Sequence, residues 1–318
     1  MTSQQKKQVT ILDGGMSREL MRLDAPFRQP EWSALSLIEA PHLVRQVHLE
    51  FALAGADIIT TNSYALVPFH IGEDGFRERG RELATLAGRL AREVADEVSK
   101  DDRKVLVAGS LPPIFGSYKP AKFKPEQVQG YLKVLVEALE PWVDIWLGET
   151  LSVVAEAEAV RTATWSFKKP LWIAFCPDDS AAAPVDPPSI RSGESISDIA
   201  EWASEAKVDA LLFNCSNPKY ITAAVKTASK LLSSKGDIRI GAYANAFVPR
   251  SNEYAANADV AAVDASLHAT AYARDAETWI EGGASIVGGC CGIGVDHVRH
   301  LAGISKSMNS MSRLQQDA

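Results

Sequence analysis

Ala54-Gly55-Ala56-Asp57-Ile58-Ile59-Thr60-Thr61-Asn62-Ser63-Tyr64 contains one complete structural unit of this chain. It closes a helical pattern, since Val44, Val47, Phe51 and Ala54 recur on one helix face after Pro41. Gly55 marks the turn. Residues 57–60 then form a short run, apolar at its centre and without the alternation of a half-exposed strand, which suits a strand covered on both faces. Beyond it the chain turns polar, at Thr61-Asn62-Ser63-Tyr64.

The same succession recurs along the chain. Further strand candidates lie at residues 9–12, 104–108, 143–147, 171–175, 209–213, 238–242 and 285–287. Amphipathic helices separate them: Val128, Leu132, Leu135 and Leu139 line one face, and Ile221, Val225, Ala228 and Leu232 another. Eight strands with interleaved helices predict a single-domain α/β fold, a (β/α)8 barrel. A doubly wound open sheet is the rival. It usually carries a GxGxxG loop after its first strand, where this chain has Asp13-Gly14-Gly15-Met16. The barrel is expected over residues 1–304, with a polar, frayed tail over 305–318. Two long connections, residues 177–193 and 245–268, are expected to be functional or mobile.

Composition narrows the function. The 318 residues are 46% hydrophobic and 23% charged, the profile of a soluble globular protein. A net charge of −7 and the lack of a Lys/Arg stripe argue against nucleic acid as a partner. No apolar run approaches the roughly 18 residues needed to cross a bilayer, and the start, Met1 to Lys7, does not resemble a signal peptide. Four cysteines are too few for a disulfide scaffold. The expected compartment is the reducing cytoplasm, where thiols serve metals or catalysis. A homo-oligomer is allowed but not required.

Barrel active sites sit at the C-terminal ends of the strands. Those positions hold Asp13, Thr61 to Tyr64, Ser110, Glu149-Thr150, Cys215, Asn245 and Cys290-Cys291. Three cysteines therefore converge on one rim, from Asn214-Cys215 and from Gly288-Gly289-Cys290-Cys291-Gly292. A disulfide between Cys290 and Cys291 would be strained, because adjacent Cα atoms lie about 3.8 Å apart and disulfides prefer roughly 4.4 to 6.8 Å. For both sulfurs to reach one metal the chain must leave strand geometry, which the flanking glycines permit. Cys215, Cys290 and Cys291 thus suggest one zinc ion per chain, with a fourth position open to a thiol substrate. The alternative is a pair of inert buried thiols.

These residues resemble the homocysteine S-methyltransferase family across nearly the whole chain. The resemblance rests on Leu12-Asp13-Gly14-Gly15-Met16, Trp32-Ser33-Ala34, the segment from Ala54 to Tyr64, Gly148-Glu149-Thr150, Asn214-Cys215 and the Gly288 to Gly292 motif. Two positions depart from the pattern. The usual Phe-Glu-Thr reads Gly148-Glu149-Thr150, and the usual Tyr-Pro-Asn-(Ser/Ala)-Gly reads Tyr243-Ala244-Asn245-Ala246-Phe247.

The resemblance implies methyl transfer to the zinc-activated thiolate of homocysteine, giving methionine. The expected donor is S-methylmethionine or S-adenosylmethionine, with betaine-like donors, or selenocysteine or another small thiol as acceptor, as alternatives. In this picture Glu149 holds the substrate ammonium group, its other role being a helix cap. Asp13 orients substrate or donor, or forms an Asx turn. Backbone N–H groups at Gly14 and Gly15 hold the carboxylate. Thr61 and Ser63 line the pocket or bond within their loop. Asn214 positions Cys215 or the substrate, and Asn245 is the neutral ligand displaced when the thiol binds.

Cys176 reads as a buried thiol, His48 as a packed core-edge residue, and His297 and His300 as surface residues. The cluster Trp142, Trp146, Trp165 and Trp172 reads as core packing. Two other classes compete. A thiol-based zinc or redox sensor would need no amino-acid pocket, and a zinc hydrolase would prefer His and carboxylate ligands, for which no His-x-His or His-Glu-x-x-His is present.

Overall fold

The computed structural model describes residues 8–100, 103–247 and 262–314, the last six of these as main chain only. The start at Met1 to Lys7 and much of the connection expected over 245–268 lie outside the described residues. Elements follow in the order β1 (Thr10–Ile11), α1 (Met16–Arg22), α2 (Ser33–Glu39), α3 (Pro41–Ala54), β2 (Ile58–Thr60), α4 (Pro68–Val98), β3 (Leu106–Leu111), α5 (Pro125–Leu139), β4 (Ile145–Leu151) and α6 (Val154–Thr164). They continue with β5 (Leu171–Phe175), α7 (Ile196–Ala206), β6 (Ala210–Asn214), α8 (Pro218–Leu232), β7 (Arg239–Tyr243), α9 (Ala269–Glu281), β8 (Ile286–Val287) and α10 (Val295–Leu314).

All eight strands are parallel, in the order β1-β8-β7-β6-β5-β4-β3-β2. The ring closes between β1 and β2: Leu12 bridges Ile58, Asp57 N–H donates to Ile11 O at 2.8 Å, and Asp13 N–H donates to Ile58 O at 3.0 Å. This is the expected (β/α)8 barrel.

Helix boundaries follow local chemistry. Pro41 starts α3, and Gly55 ends it with φ 115°, a left-handed cap that costs glycine little. The Ser195 side chain accepts Asp198 N–H at 3.1 Å to open α7, and the Asn217 side chain accepts Lys219 N–H at 3.1 Å to open α8.

Side chains alternate between two apolar layers. Ile145, Leu147, Trp172, Ala174, Ala210 and Leu212 fill the barrel interior. Their neighbours Trp146, Ile173, Phe175, Leu211 and Phe213 pack outward against the helices. Continuing the inward register along β3, β4 and β7 delivers Ser110, Glu149 and Tyr243 to the upper end of the barrel. Apolar layers below and polar residues at the mouth thus come from one alternation.

The polar tail expected from Ser305 does not begin there. Helix α10 runs on to Leu314, and buried Ser305 donates to Val9 O at 2.9 Å, tying the helix to the strand that starts the barrel. Ser305 reads as a polar residue in a polar stretch until its partner across the fold is known.

His48 is fully buried on α3, neither ring nitrogen has a hydrogen-bond partner among the described residues, and burial pushes its pKa down to about 4. An unfolded histidine titrates near 6.5. The neutral ring is therefore stable in the fold above that pH, and the contribution is lost as pH falls from about 6.5 toward 4. Urea unfolding of wild type and His48→Leu at pH 7.5 and pH 5 is expected to show the variant gaining about 2 kcal/mol relative to wild type at the lower pH. An unchanged difference would mean that His48 titrates normally.

Candidate active site

Backbone hydrogen bonds from the end of β7 set the spacing of the three cysteines. Cys215 N–H donates to Tyr243 O at 3.2 Å and Asn245 N–H to Ser216 O at 3.1 Å on one side. Cys290 N–H donates to Ala244 O at 3.0 Å and Ala246 N–H to Cys291 O at 2.9 Å on the other. Residues 243–246 thus hold both cysteine segments in register.

Strand alternation would carry Ala210, Leu212 and Asn214 inward and leave Cys215 pointing out. Instead Cys215 takes φ 53°, an uncommon conformation for a residue with a Cβ, and its side chain lines the cavity at the mouth. β8 ends at Val287, so Cys290 and Cys291 lie beyond the ladder, as the metal reading required. Their loop packs tightly against the first turn of the barrel. A Cβ on Gly15 would lie 2.6 Å from Cys290 O, and one on Gly14 would lie 2.3 Å from Ile293 O.

The ligand sulfurs of Cys215, Cys290 and Cys291 all lie within 4.8 Å of one another. All four cysteines are free thiols. Zinc–sulfur bonds of about 2.3 Å in a tetrahedron put sulfurs roughly 3.8 Å apart, so modest side-chain adjustment would close the cluster. The shared protons are unevenly held: hydrogen bonds from Cys215 and Cys290 keep the Cys291 thiol well below the ordinary range, whereas donating to its neighbours pushes Cys290 up. Three clustered sulfur donors free of disulfides suit a thiophilic divalent cation, which would displace the remaining protons on binding.

Two carboxyls face the same cavity. Glu149 accepts Ser110 Oγ–H at 2.5 Å and Tyr243 O–H at 3.2 Å, and Asp13 accepts Thr60 N–H at 2.7 Å and Thr60 Oγ1–H at 3.0 Å. Burial pushes each up to about 7 against these hydrogen bonds. Neither is a helix cap or an Asx turn: Glu149 lies within β4, and Asp13 reaches across to β2. Among the described residues no cationic side chain forms an ion pair with either, so an arriving ammonium group would relieve their desolvation.

The cavity is about 450 Å³, open at the barrel mouth. The thiols of Cys215, Cys290 and Cys291, with Asp13 and Glu149, line it, and Phe27, Trp32, Tyr64, Tyr118 and Phe247 add aromatic lining. Trp32 and Phe27 meet edge to face, with ring centroids 5.7 Å apart. Phe247, which lines the cavity, stands where the family pattern has glycine. Gly148 is accommodated differently: a Cβ there would lie 2.9 Å from Ile173 Cδ1 and 3.1 Å from Val160 Cγ1, so helix and sheet pack directly over it.

The remaining predicted residues divide between the cavity and its supports. Gly14, Gly15, Thr61 and Asn245 line the cavity, but Gly15 N–H is spent on Ile293 O at 2.8 Å. Thr61 Oγ1 accepts Ser110 N–H at 3.0 Å, and Asn245 Oδ1 accepts Phe247 N–H at 3.2 Å. Ser63 and Asn214 are buried but do not line it. Ser63 Oγ–H donates to Ser110 O at 2.8 Å, stitching β2 to β3. Asn214 Nδ2–H donates to Thr150 Oγ1 at 2.9 Å and its Oδ1 accepts Thr150 N–H at 3.2 Å, bracing a residue held at φ 63°.

Cys176 is a buried thiol beside Asn214. His297 bonds to Gly294 N–H and Leu267 O, away from the thiols. Tyr118, Arg191 and Asp179 were not singled out from the sequence. They sit in connections, where no periodicity marks the side that faces inward.

Comparison with known proteins agrees with this arrangement. Residues 10–304 match the family model described as homocysteine S-methyltransferase. A selenocysteine methyltransferase of Astragalus bisulcatus is 29% identical over 96% of this chain and 94% of its own length. The homocysteine S-methyltransferase YbgG of Bacillus subtilis is 27% identical, over 94% and 95%. The metallated form of the Escherichia coli homocysteine methyltransferase MmuM superposes with a TM-score of 0.75 at 25% identity, covering 94% of this chain and 97% of that one.

Substituting any one of the three thiols should abolish stoichiometric metal retention. Metal analysis after dialysis is expected to fall from about one ion per chain to near zero in Cys290→Ala, while Cys176→Ala keeps its ion. Equal retention by both variants would rule out the three-thiol site.

Proposed function

The chain belongs to the homocysteine S-methyltransferase family, and on that premise we propose that it transfers a methyl group from a sulfonium donor to the sulfur of homocysteine, giving methionine. S-methylmethionine and S-adenosylmethionine are the favoured donors. The observation that carries the reading is the meeting, in one cavity, of three thiols, two carboxyls that form no ion pair among the described residues, and several aromatic side chains.

Cys215, Cys290 and Cys291 would hold zinc, which when bound supplies stabilisation of the acceptor sulfur as its thiolate at neutral pH. Glu149 receives the acceptor's ammonium group, with its carboxylate oriented by Ser110 and Tyr243. Asp13, fixed by Thr60, adds a second negative charge to the same cavity. The aromatic lining of Trp32, Phe27, Tyr64 and Phe247 suits an onium group through cation–π attraction and excludes water from it. Acceptor at the thiols and donor among the aromatic side chains would meet for in-line displacement: the acceptor sulfur–methyl bond forms as the donor's sulfur–methyl bond breaks, and the donor leaves as a neutral thioether. No protein base acts in that step, so catalysis is alignment in a dry site. A selenol acceptor is the second reading, favoured by the relatives named for selenocysteine.

The test is methionine formation from homocysteine with S-methylmethionine, S-adenosylmethionine or betaine, and Se-methyl product from selenocysteine, under reducing conditions. Turnover with a sulfonium donor is expected; turnover with betaine alone would overturn the donor assignment.

Glu149→Gln should keep its metal yet lose about tenfold or more in kcat/KM for homocysteine, because a buried charge-assisted hydrogen bond is lost. Glu149 is protonated below about 7 in the free enzyme. Its attraction for the ammonium group therefore disappears as pH falls through 7, and the ratio of wild type to variant should shrink from pH 8 to pH 6. A ratio independent of pH would remove Glu149 from ammonium recognition.

A further inference from the structure

Tyr118 follows β3 in a left-handed conformation, φ 62°, and its hydroxyl lies 2.8 Å from Cys215 Sγ. In the cluster of free thiols either atom can donate. Once the sulfur has given up its proton, only the phenol can. The guanidinium carbon of Arg191 stands 4.5 Å from the centroid of the Tyr118 ring, and Arg191 is itself paired with Asp179 at 2.5 Å. A cation over the ring draws electron density from the phenol and strengthens its O–H as a donor.

Asp179 also accepts Asn217 N–H at 3.0 Å, and Ser216 Oγ–H donates to Pro177 O at 2.8 Å. The β5–α7 connection is therefore fastened to the residues just after Cys215, while Arg191 from the same connection covers Tyr118. The long segment flagged in the sequence at 177–193 thus has a specific attachment to one of the three thiols.

We propose that Tyr118 is a positioning residue for methyl transfer, donating its hydroxyl hydrogen bond to the Cys215 thiolate, with Arg191, held by Asp179, setting the strength of that donation. The proposal rests on the three-thiol metal reading above. Three thiolates around one divalent cation leave it rich in negative charge. A hydrogen bond to one of them lowers that sulfur's donation to the metal and leaves more attraction for the acceptor's sulfur. Without it, the acceptor thiol should need a higher pH to ionise.

The experiment compares wild type, Tyr118→Phe and Arg191→Met, each loaded with cobalt(II) in place of zinc. Tyr118→Phe keeps the ring and loses only the hydroxyl. Its sulfur-to-cobalt charge-transfer band is expected to move to longer wavelength, because an unbonded thiolate gives up an electron more readily. Arg191→Met should shift the band in the same direction by less. In the zinc enzyme, the acidic limb of the pH profile of kcat/KM for homocysteine should rise by about one unit in Tyr118→Phe, the tenfold effect common for such outer partners.

An unmoved band and an unmoved limb at full metal loading would overturn the proposal and leave Tyr118 as packing. If Tyr118→Phe failed to retain cobalt, Arg191→Met would decide, a shift supporting the proposal and an unmoved band overturning it. A wild type that takes up no cobalt would remove the metal reading itself. A wild type with thiolate–cobalt bands but no turnover would remove only the assigned substrates.

Discussion

The site depends on the four backbone hydrogen bonds that residues 243–246 exchange alternately with the Cys215 and Cys290 segments, accepting two and donating two. Parallel strands lie about 4.8 Å apart, so β6 and β8, flanking β7, would hold their side chains too far apart if each kept strand geometry. Cys215 leaves it through a positive φ, and the Gly288 to Gly292 loop leaves it by ending β8 early. The segment between them turns both departures into one geometry. Closure of the barrel is therefore a chemical requirement as well as a stabilising one, because the seam between β1 and β2 is what brings Asp13 to the Thr60 donors that hold its carboxylate at the mouth.

That same closure makes the mouth costly to maintain. Asp13 is buried and Glu149 half-buried, desolvation pushes both up to about 7, and hydroxyl and N–H donors rather than a cation satisfy them. Lone buried charges disfavour the folded state. The apolar interior layers beneath, and the helices packed around the sheet, offset the cost. Under the proposed function, an ammonium-bearing substrate would find donors already set and room for its charge, so a group that weakens the empty protein would strengthen the complex. The strained conformations at Tyr118, Thr150 and Cys215 gather at the same end of the barrel, where hydrogen bonds from Asn214 and the β7 segment restrain two of them.

Much of this was legible before any fold was drawn. Strand positions are readable because burial on both faces demands short apolar runs, and the rim residues are readable because polar residues after such runs have one place to go. Asp13, Glu149, Asn245 and the three cysteines all reach the cavity for that reason. Ser63 and Asn214, equally polar and equally close to strand ends, turn away to brace Ser110 and Thr150. A polar residue at a strand end has the same signature whether its partner is a substrate or a neighbouring backbone.

The amino-acid sequence by itself determined the count and order of the strands, the convergence of Cys215, Cys290 and Cys291 on one rim and the family, because these rest on local burial patterns and on residue types. Only the tertiary structure decided which side chains meet. Tyr118 touches Cys215 from 97 positions away, Arg191 stacks on Tyr118 from another connection, and Ser305 bonds to Val9 across the whole chain. Such contacts depend on how loops cross the mouth and on how a helix docks against the first strand. No spacing within a segment encodes them, since they become neighbours only when the ring closes.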